Sequence, residues 1–174
     1  MNNAHEVIRR TAEQLLKAAG VTRPPVPLRA VVSFLNLSLV EKACDPFCSE
    51  AALVPLGDGH AIELRGRGRT NERRLRFTIA HEIGHFMLHQ GRAVNERAGA
   101  RSEGTARYER EADQFAAELL MPEHLVRQAA LEVGADPRLL ADRFDVSVQA
   151  MSVRLRRLGL AERQSDLLPP SRDL

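Results

Sequence analysis

The sequence has no tryptophan, one tyrosine and only two cysteines, and its lysines are confined to Lys17 and Lys42. Two cysteines cannot make a disulfide framework. Cys44 and Cys48, four apart around Asp45-Pro46-Phe47, read as free thiols in or near a turn, since no second cysteine pair follows to complete a metal or redox site. No apolar run reaches membrane length and no cationic-then-apolar leader opens the chain. A membrane span and an exported protein are therefore not expected, and the expected location is a reducing bacterial cytoplasm. Neither sign of charge dominates: the net charge is +2 over 174 residues, of which 44% are hydrophobic. That balance excludes a disordered chain and a strongly nucleic-acid-like composition, and the length suits one domain of ordinary size.

What is present is His81-Glu82-Ile83-Gly84-His85, set in the helical apolar pattern of residues 77–89. One helical turn brings His81 and His85 onto the same face, where two imidazole nitrogens can be offered to one metal ion. Glu82, one residue round, is too offset to be a third ligand but is well placed to take a proton from water, the role of a general base. His89 does not take the third-histidine position of the extended metzincin pattern, so a third ligand must come from elsewhere.

The next acidic helical stretch is residues 108–122. Glu109 and Asp113, four apart, share a face, while Phe115, Leu119 and Leu120 point inward. Glu109 can be the third ligand, and Asp113 can hold the far N–H of a ligand histidine in the right tautomer. Glu111 competes for the ligand role, but it lies about 160° from Asp113 around the helix. Ala112, Ala116 and Gly84 are small enough to let the two helices approach until histidine and glutamate share a metal with bonds of about 2 Å. His89 and His124 read as surface or supporting histidines. Tyr108 and His124 are candidate donors to a developing oxyanion, and Tyr108 reads equally as an ordinary half-buried tyrosine.

Arg76-Phe-Thr-Ile-Ala-His-Glu-Ile-Gly-His85, followed by Glu109-x-Glu-Ala-Asp-x-Phe-Ala-Ala-Glu-Leu-Leu-Met-Pro122, resembles the ImmA/IrrE family of bacterial metallopeptidases. Both blocks match in order and spacing, and the resemblance extends less strongly over residues 25–160. It implies a gluzincin-like zinc (Zn2+) site with His81, His85 and Glu109 as ligands and Glu82 as base. It also implies a protein substrate or partner among helix-turn-helix repressors, in stress, mobile-element or phage-related regulation. The further C-terminal sensor domain that some members carry is not expected here.

Residues 5–19 read as an amphipathic helix with Val7, Ile8, Thr11, Leu15 and Ala18 on its stripe. After the stiff connector 23–27, Pro27 suits the first turn of a short helix through Phe34, ended by Asn36. Residues 37–42, 50–56 and 60–64 are three short β runs, the last two joined at Gly57-Asp-Gly59. The third run is the expected edge strand against which an extended substrate backbone would pair. Thr70 is expected to cap the metal helix and Gly91 to close it, with a basic glycine-rich lip at 65–70 and a loop at 92–105 near the cleft.

Three helices then follow, at 123–133, 137–144 and 147–158, capped by Asp136 with Pro137 and by Ser147. Residues 139–158 have a helix-turn-helix outline with Phe144, Val146, Ala150, Val153 and Leu158 inside. Ser147, Gln149 and Ser152 could face bases, and Arg154, Arg156 and Arg157 could meet phosphates, although scaffold or protein docking is the preferred use of the pair. The expected architecture is α+β and zincin-like. A small N-terminal sheet and a two-helix metal site make up a peptidase domain (1–122), a helix-turn-helix-like subdomain (123–160) packs on it, and a disordered tail (161–174) follows.

The expected function is a zinc-dependent endopeptidase with a narrow protein substrate, a helix-turn-helix repressor or antitoxin-like regulator, with direct DNA contact the less favoured mode. The alternatives are a non-catalytic metal-binding regulator that binds a repressor or DNA through its C-terminal helices, and a hydrolase of non-peptide bonds. Intact Glu82 argues against the first, because a purely structural zinc site needs no base.

Overall fold

A computed structural model describes residues 3–42, 51–65, 71–89 and 103–161. Its elements are α1 (Asn3–Ala18), α2 (Leu28–Phe34), β1 (Leu37–Lys42), β2 (Ala51–Leu56), β3 (Gly59–Arg65) and α3 (Glu72–Leu88). They are followed by α4 (Glu103–Leu120), α5 (Glu123–Val133), α6 (Pro137–Phe144) and α7 (Val148–Arg157). The class is α+β. Cys44, Cys48, Gly91, most of the 65–70 lip, most of the 92–105 loop and the tail beyond 161 lie outside the described residues, although α4 already begins at Glu103 within that expected loop.

Three strands form one sheet in the order β1-β3-β2, with β1 parallel and β2 antiparallel to β3. The third run is thus the central strand, which corrects the edge-strand expectation. Its Ala61, Ile62 and Leu64 are all buried, as a strand with neighbours on both sides requires, whereas β2 carries Pro55, a residue tolerated at an edge because it has no N–H to give. β2 is the edge that meets α3.

α3 is capped by Asn71, whose side chain accepts from the Arg73 N–H at 2.9 Å, and not by Thr70. Asparagine one residue nearer the helix satisfies the orphan donors directly. The other end is closed by His89, whose N–H reaches the His85 carbonyl. α1 packs on α4. Its buried stripe is Ile8, Ala12, Leu15 and Leu16, while Val7 is 54% exposed and Ala18 is exposed, so the stripe is rotated from the expected one.

α3 and α4 are the central packed pair. The reason is Gly84: a Cβ there would stand 3.1 Å from the Ala112 Cα and 3.2 Å from both the Ala112 oxygen and the Phe115 Cβ. Only a residue without a side chain lets the helices meet so closely. One hydrophobic core runs from Ile8 through Ile62, Ile83, Phe115 and Leu120 to Phe144 and Leu155.

The C-terminal helices follow their capping signals. Asp136 accepts from the Arg138 and Leu139 N–H groups, and Ser147 from that of Ala150. Between α6 and α7, Asp145 takes a left-handed conformation (φ 52°), which aspartate tolerates better than most residues. Two arginines of α3 fasten this turn. Arg76 donates to the Asp145 carbonyl (3.1 Å) and to the Val26 carbonyl (2.9 Å), and Arg73 pairs with Asp142 (2.7 Å).

Arg154, expected at phosphates, is buried. Its guanidinium donates to both carboxylate oxygens of Glu118 (2.7 and 2.5 Å) and to the Met121 carbonyl (2.9 Å). An aliphatic stem long enough to reach the end of α4 and a carboxylate waiting there explain the difference, since a buried charge persists only when paired. Among the described residues no helix is long and apolar enough to cross a membrane.

Candidate metal centre

His81 and His85, one turn apart on α3, face Glu109 on the first half of α4. One ligand atom from each lies within 4.8 Å of the others. The Nε2 atoms of the two histidines are 3.0 Å apart, and Glu109 brings Oε2 to 3.2 Å from His81 Nε2 and Oε1 to 3.4 Å from His85 Nε2. Donors about 2.05 Å from a tetrahedral centre are about 3.3 Å from one another, so these separations fit a single zinc-sized cation.

The outer nitrogens make the same point independently. His81 Nδ1 lies 2.9 Å from the Asp113 carboxylate, and His85 Nδ1 lies 3.2 Å from His89 Nδ1. A neutral imidazole has one N–H. With that hydrogen spent on the outer partner, both Nε2 lone pairs point into the same small space as a carboxylate. Three acceptors converging there repel unless a cation lies among them.

The same surroundings also favour a proton. Burial alone would push the His81 pKa down, but the hydrogen bond to Asp113 and the charges of Glu82, Asp113 and Glu109 outweigh it, and the net shift is upward. The site favours positive charge at that ring.

Glu82 is buried, and its Oε2 accepts from the Leu53 N–H of edge strand β2 at 2.8 Å. This bond ties the sheet edge to the helix that carries the histidines. Leu53 pairs with Ile62 in the antiparallel ladder, and because its N–H points away from β3, Ala51 and Pro55 share the outward side by the alternation of such ladders.

Two residues read only as peripheral in the sequence take part. His89 is 4% exposed and bridges His85 to Glu111, whose Oε2 is 3.0 Å from His89 Nε2. Glu111 therefore holds a histidine and is no rival to Glu109 at the metal position. Arg107 donates to its other oxygen at 2.7 Å. Burial by itself would raise the Glu111 pKa, yet the bonds from Arg107 and His89 hold it below the ordinary carboxylate value. The signal for this was present as i,i+4 spacing, 85 to 89 and 107 to 111. The Tyr108 ring packs against His89 with centroids 4.7 Å apart. His124 is exposed in the first turn of α5, and no described hydrogen bond or ion pair joins it to the cluster.

Beside the cluster lies a cleft of about 690 Å³. Phe77 of α3, Asp113 and Ala117 of α4, and Ser147, Gln149 and Val153 along α7 from its cap are among the residues that line it, with five arginines, Arg73, Arg74, Arg110, Arg154 and Arg157. Asp113 thus belongs both to the support of His81 and to the cleft wall. Of the polar residues that a recognition helix would turn towards DNA, Ser147 and Gln149 border this cleft and are themselves exposed, whereas Ser152 does not line it, and Arg73, Arg110 and Arg157 add positive charge to its walls.

A solved structure of similar fold is a Mycobacterium tuberculosis transcriptional regulator, at a TM-score of 0.64 and 19% sequence identity over 86% of this chain. The chain spans 55% of that protein's length, so the likeness concerns the fold. No protein of curated function matches the sequence. The family profile of peptidase M78, the IrrE N-terminal-like domain, matches residues 67–156, a span that takes in the two metal-facing helices and the C-terminal helix pair. Histidines, facing glutamate and buried Glu82 all fall inside that match, and the chain belongs to the IrrE N-terminal-like family of peptidase M78.

Proposed function

We propose that this protein is a zinc-dependent endopeptidase that cuts a narrow protein substrate, a helix-turn-helix repressor or antitoxin-like regulator, in the bacterial cytoplasm. The observation that carries the reading is the convergence of His81, His85 and Glu109 next to a buried carboxylate, Glu82, that a structural site would not need. Membership of a peptidase family supports it, and a transcriptional regulator of the same fold is consistent with a role in regulation.

His81 and His85 through Nε2 and one oxygen of Glu109 would hold the ion, which when bound supplies Lewis-acid chemistry, acidifying water and polarising a carbonyl near neutral pH. Asp113 fixes the His81 ring by accepting its Nδ1–H. Glu82 takes the proton from the attacking water and passes it to the leaving amine, which balances the hydrolysis. The Leu53 N–H keeps that carboxylate aimed, and β2, one of the two edge strands, is the element beside which an extended substrate segment would lie, pairing through outward carbonyls because the Leu53 N–H is taken and Pro55 has none. Of the two candidate oxyanion donors, Tyr108 packs its ring against His89, while His124 stands exposed with no described bond to the cluster.

Protein is the favoured partner of α7 and DNA the less favoured one, because Arg154, which a phosphate reader would expose, is buried against Glu118.

The test compares metal-loaded wild type with Glu82→Gln by labelling new protein N-termini after each is incubated with a lysate. New termini only with wild type, abolished by a chelator, are expected. Equal sets of termini from both proteins would overturn the role of Glu82, and none from either would overturn the peptidase.

A further inference from the structure

The two metal-facing histidines are supported differently. His81 leans directly on a carboxylate, Asp113, whose side chain is 59% exposed. His85, 3% exposed, leans on a second buried histidine. From the geometry we infer that His89 and Glu111 are positioning residues for the metal site, acting through His85 as a hydrogen-bond chain that runs one way to the Glu111 carboxylate, which Arg107 holds from the other side.

Proton counting fixes the direction of the chain. To present a lone pair at Nε2, His85 must carry its hydrogen on Nδ1. That hydrogen points at His89 Nδ1, 3.2 Å away, which must then be the acceptor. His89 in turn has its hydrogen on Nε2, where Glu111 Oε2 accepts at 3.0 Å. Glu111 Oε1 is held by Arg107 at 2.7 Å. Both histidine donors thus point away from the metal position and meet Arg107 on the Glu111 carboxylate; reversing His89 would set two N–H groups against each other, and reversing His85 would set two lone pairs together.

The geometry also shows that His89 is not a further ligand. It meets His85 at Nδ1, whereas the cluster gathers at the opposite nitrogen, Nε2. A histidine that is 4% exposed would be costly to keep there without both partners, and the Tyr108 ring at 4.7 Å fixes its tilt. Glu111, anchored on α4, then couples the C-terminal end of α3 to the helix that brings Glu109. Outer partners of this kind orient the ligand ring and raise its basicity, and their loss typically weakens metal binding by about 10–100-fold.

The inference rests on the metal reading of His81, His85 and Glu109, and not on peptide cleavage. The experiment measures the dissociation constant for Zn2+ by competition with a chromophoric chelator. It uses the full chain as wild type, His89→Leu, His89→Asn, Glu111→Ala and the double variant H89L/E111A, with the melting temperature of each metal-free protein alongside.

His89→Leu and Glu111→Ala should weaken zinc binding by about 10–100-fold. His89→Asn, whose Oδ1 stands close to the Nδ1 acceptor but whose amide is too short to reach Glu111, should lose no more than Glu111→Ala and less than His89→Leu, and the double variant should be no weaker than His89→Leu because both changes break one chain. A folded His89→Leu that binds within twofold of wild type overturns the inference, as does an equal loss in His89→Asn and His89→Leu, which would mark packing alone. If His89→Leu fails to fold, Glu111→Ala decides, and unweakened binding there overturns the inference. Wild type that binds no zinc overturns it together with the metal reading, whereas binding without proteolysis overturns only the peptidase.

Discussion

Gly84 on α3 lies so close to Ala112 on α4 that a single added methyl group would stand 3.1 Å from the Ala112 Cα and 3.2 Å from its carbonyl oxygen. The atoms it would strike are backbone, which cannot turn aside. Gly84→Ala should therefore force the helices apart, costing about 1–3 kcal/mol in denaturant unfolding, the usual range for overpacking. Because His85 is the next residue and Glu109 lies across the same interface, zinc affinity should fall as well. An alanine variant with wild-type stability and affinity would show that this contact does not set the ligand distances.

Arg154 should matter to stability and not to nucleic acid. Removing one member of a buried pair leaves the other uncompensated, so Arg154→Met is expected to lose about 3–5 kcal/mol. Replacing Glu118 with leucine in the same chain should recover much of that loss. Equilibrium unfolding of the single and double variants checks this, and a single variant within about 0.5 kcal/mol of wild type, the usual range for surface substitutions, would contradict the buried pairing.

Arg156 and Arg157 are exposed and give the test of DNA contact. A duplex should bind weakly, and replacing both arginines with alanine should leave proteolysis of the substrate intact. A gel shift that fell steeply with salt and disappeared in that variant would favour a DNA role for α7.

Metal binding should depend on pH in a defined direction. His81 must be neutral to bind a metal, and its pKa is raised above the ordinary value of about 6.5, so protons compete from a higher pH than at a free imidazole. In the metal-free protein, protonated His81 contributes stability that is fully present below the unfolded pKa and is lost as pH rises through the folded one. Both effects act together: added zinc should raise the melting temperature more at pH 8 than at pH 6. A larger rise at pH 6 would contradict the shift.

The convergence of His81, His85 and Glu109 was legible in the sequence because it is written in local spacing. His81 and His85, like Glu109 and Asp113, are one turn apart on a helix, and the small residues Gly84 and Ala112 announce that the two faces can meet. Sheet order was not legible from periodicity. Whether β3 or β2 forms the edge depends on a parallel pairing with β1, and Pro55 was the overlooked local sign. Nor could composition place Arg154, whose partner Glu118 lies 36 residues away in sequence. An arginine on a helix-turn-helix outline looks exposed until the opposite carboxylate is located in space. His89 lay between these cases: its spacing to His85 was visible, but its burial and its bond to Glu111 needed the second helix in place.

The most direct test of the central claim is metal content per chain by elemental analysis, on wild type, Glu82→Gln and Glu109→Ala purified without chelator. About one zinc per chain is expected in wild type and in Glu82→Gln, with clearly substoichiometric metal in Glu109→Ala, as befits a three-ligand site. A wild type that is folded but metal-free, or a Glu109→Ala variant that keeps its full complement, would contradict the assignment of His81, His85 and Glu109 as one metal centre.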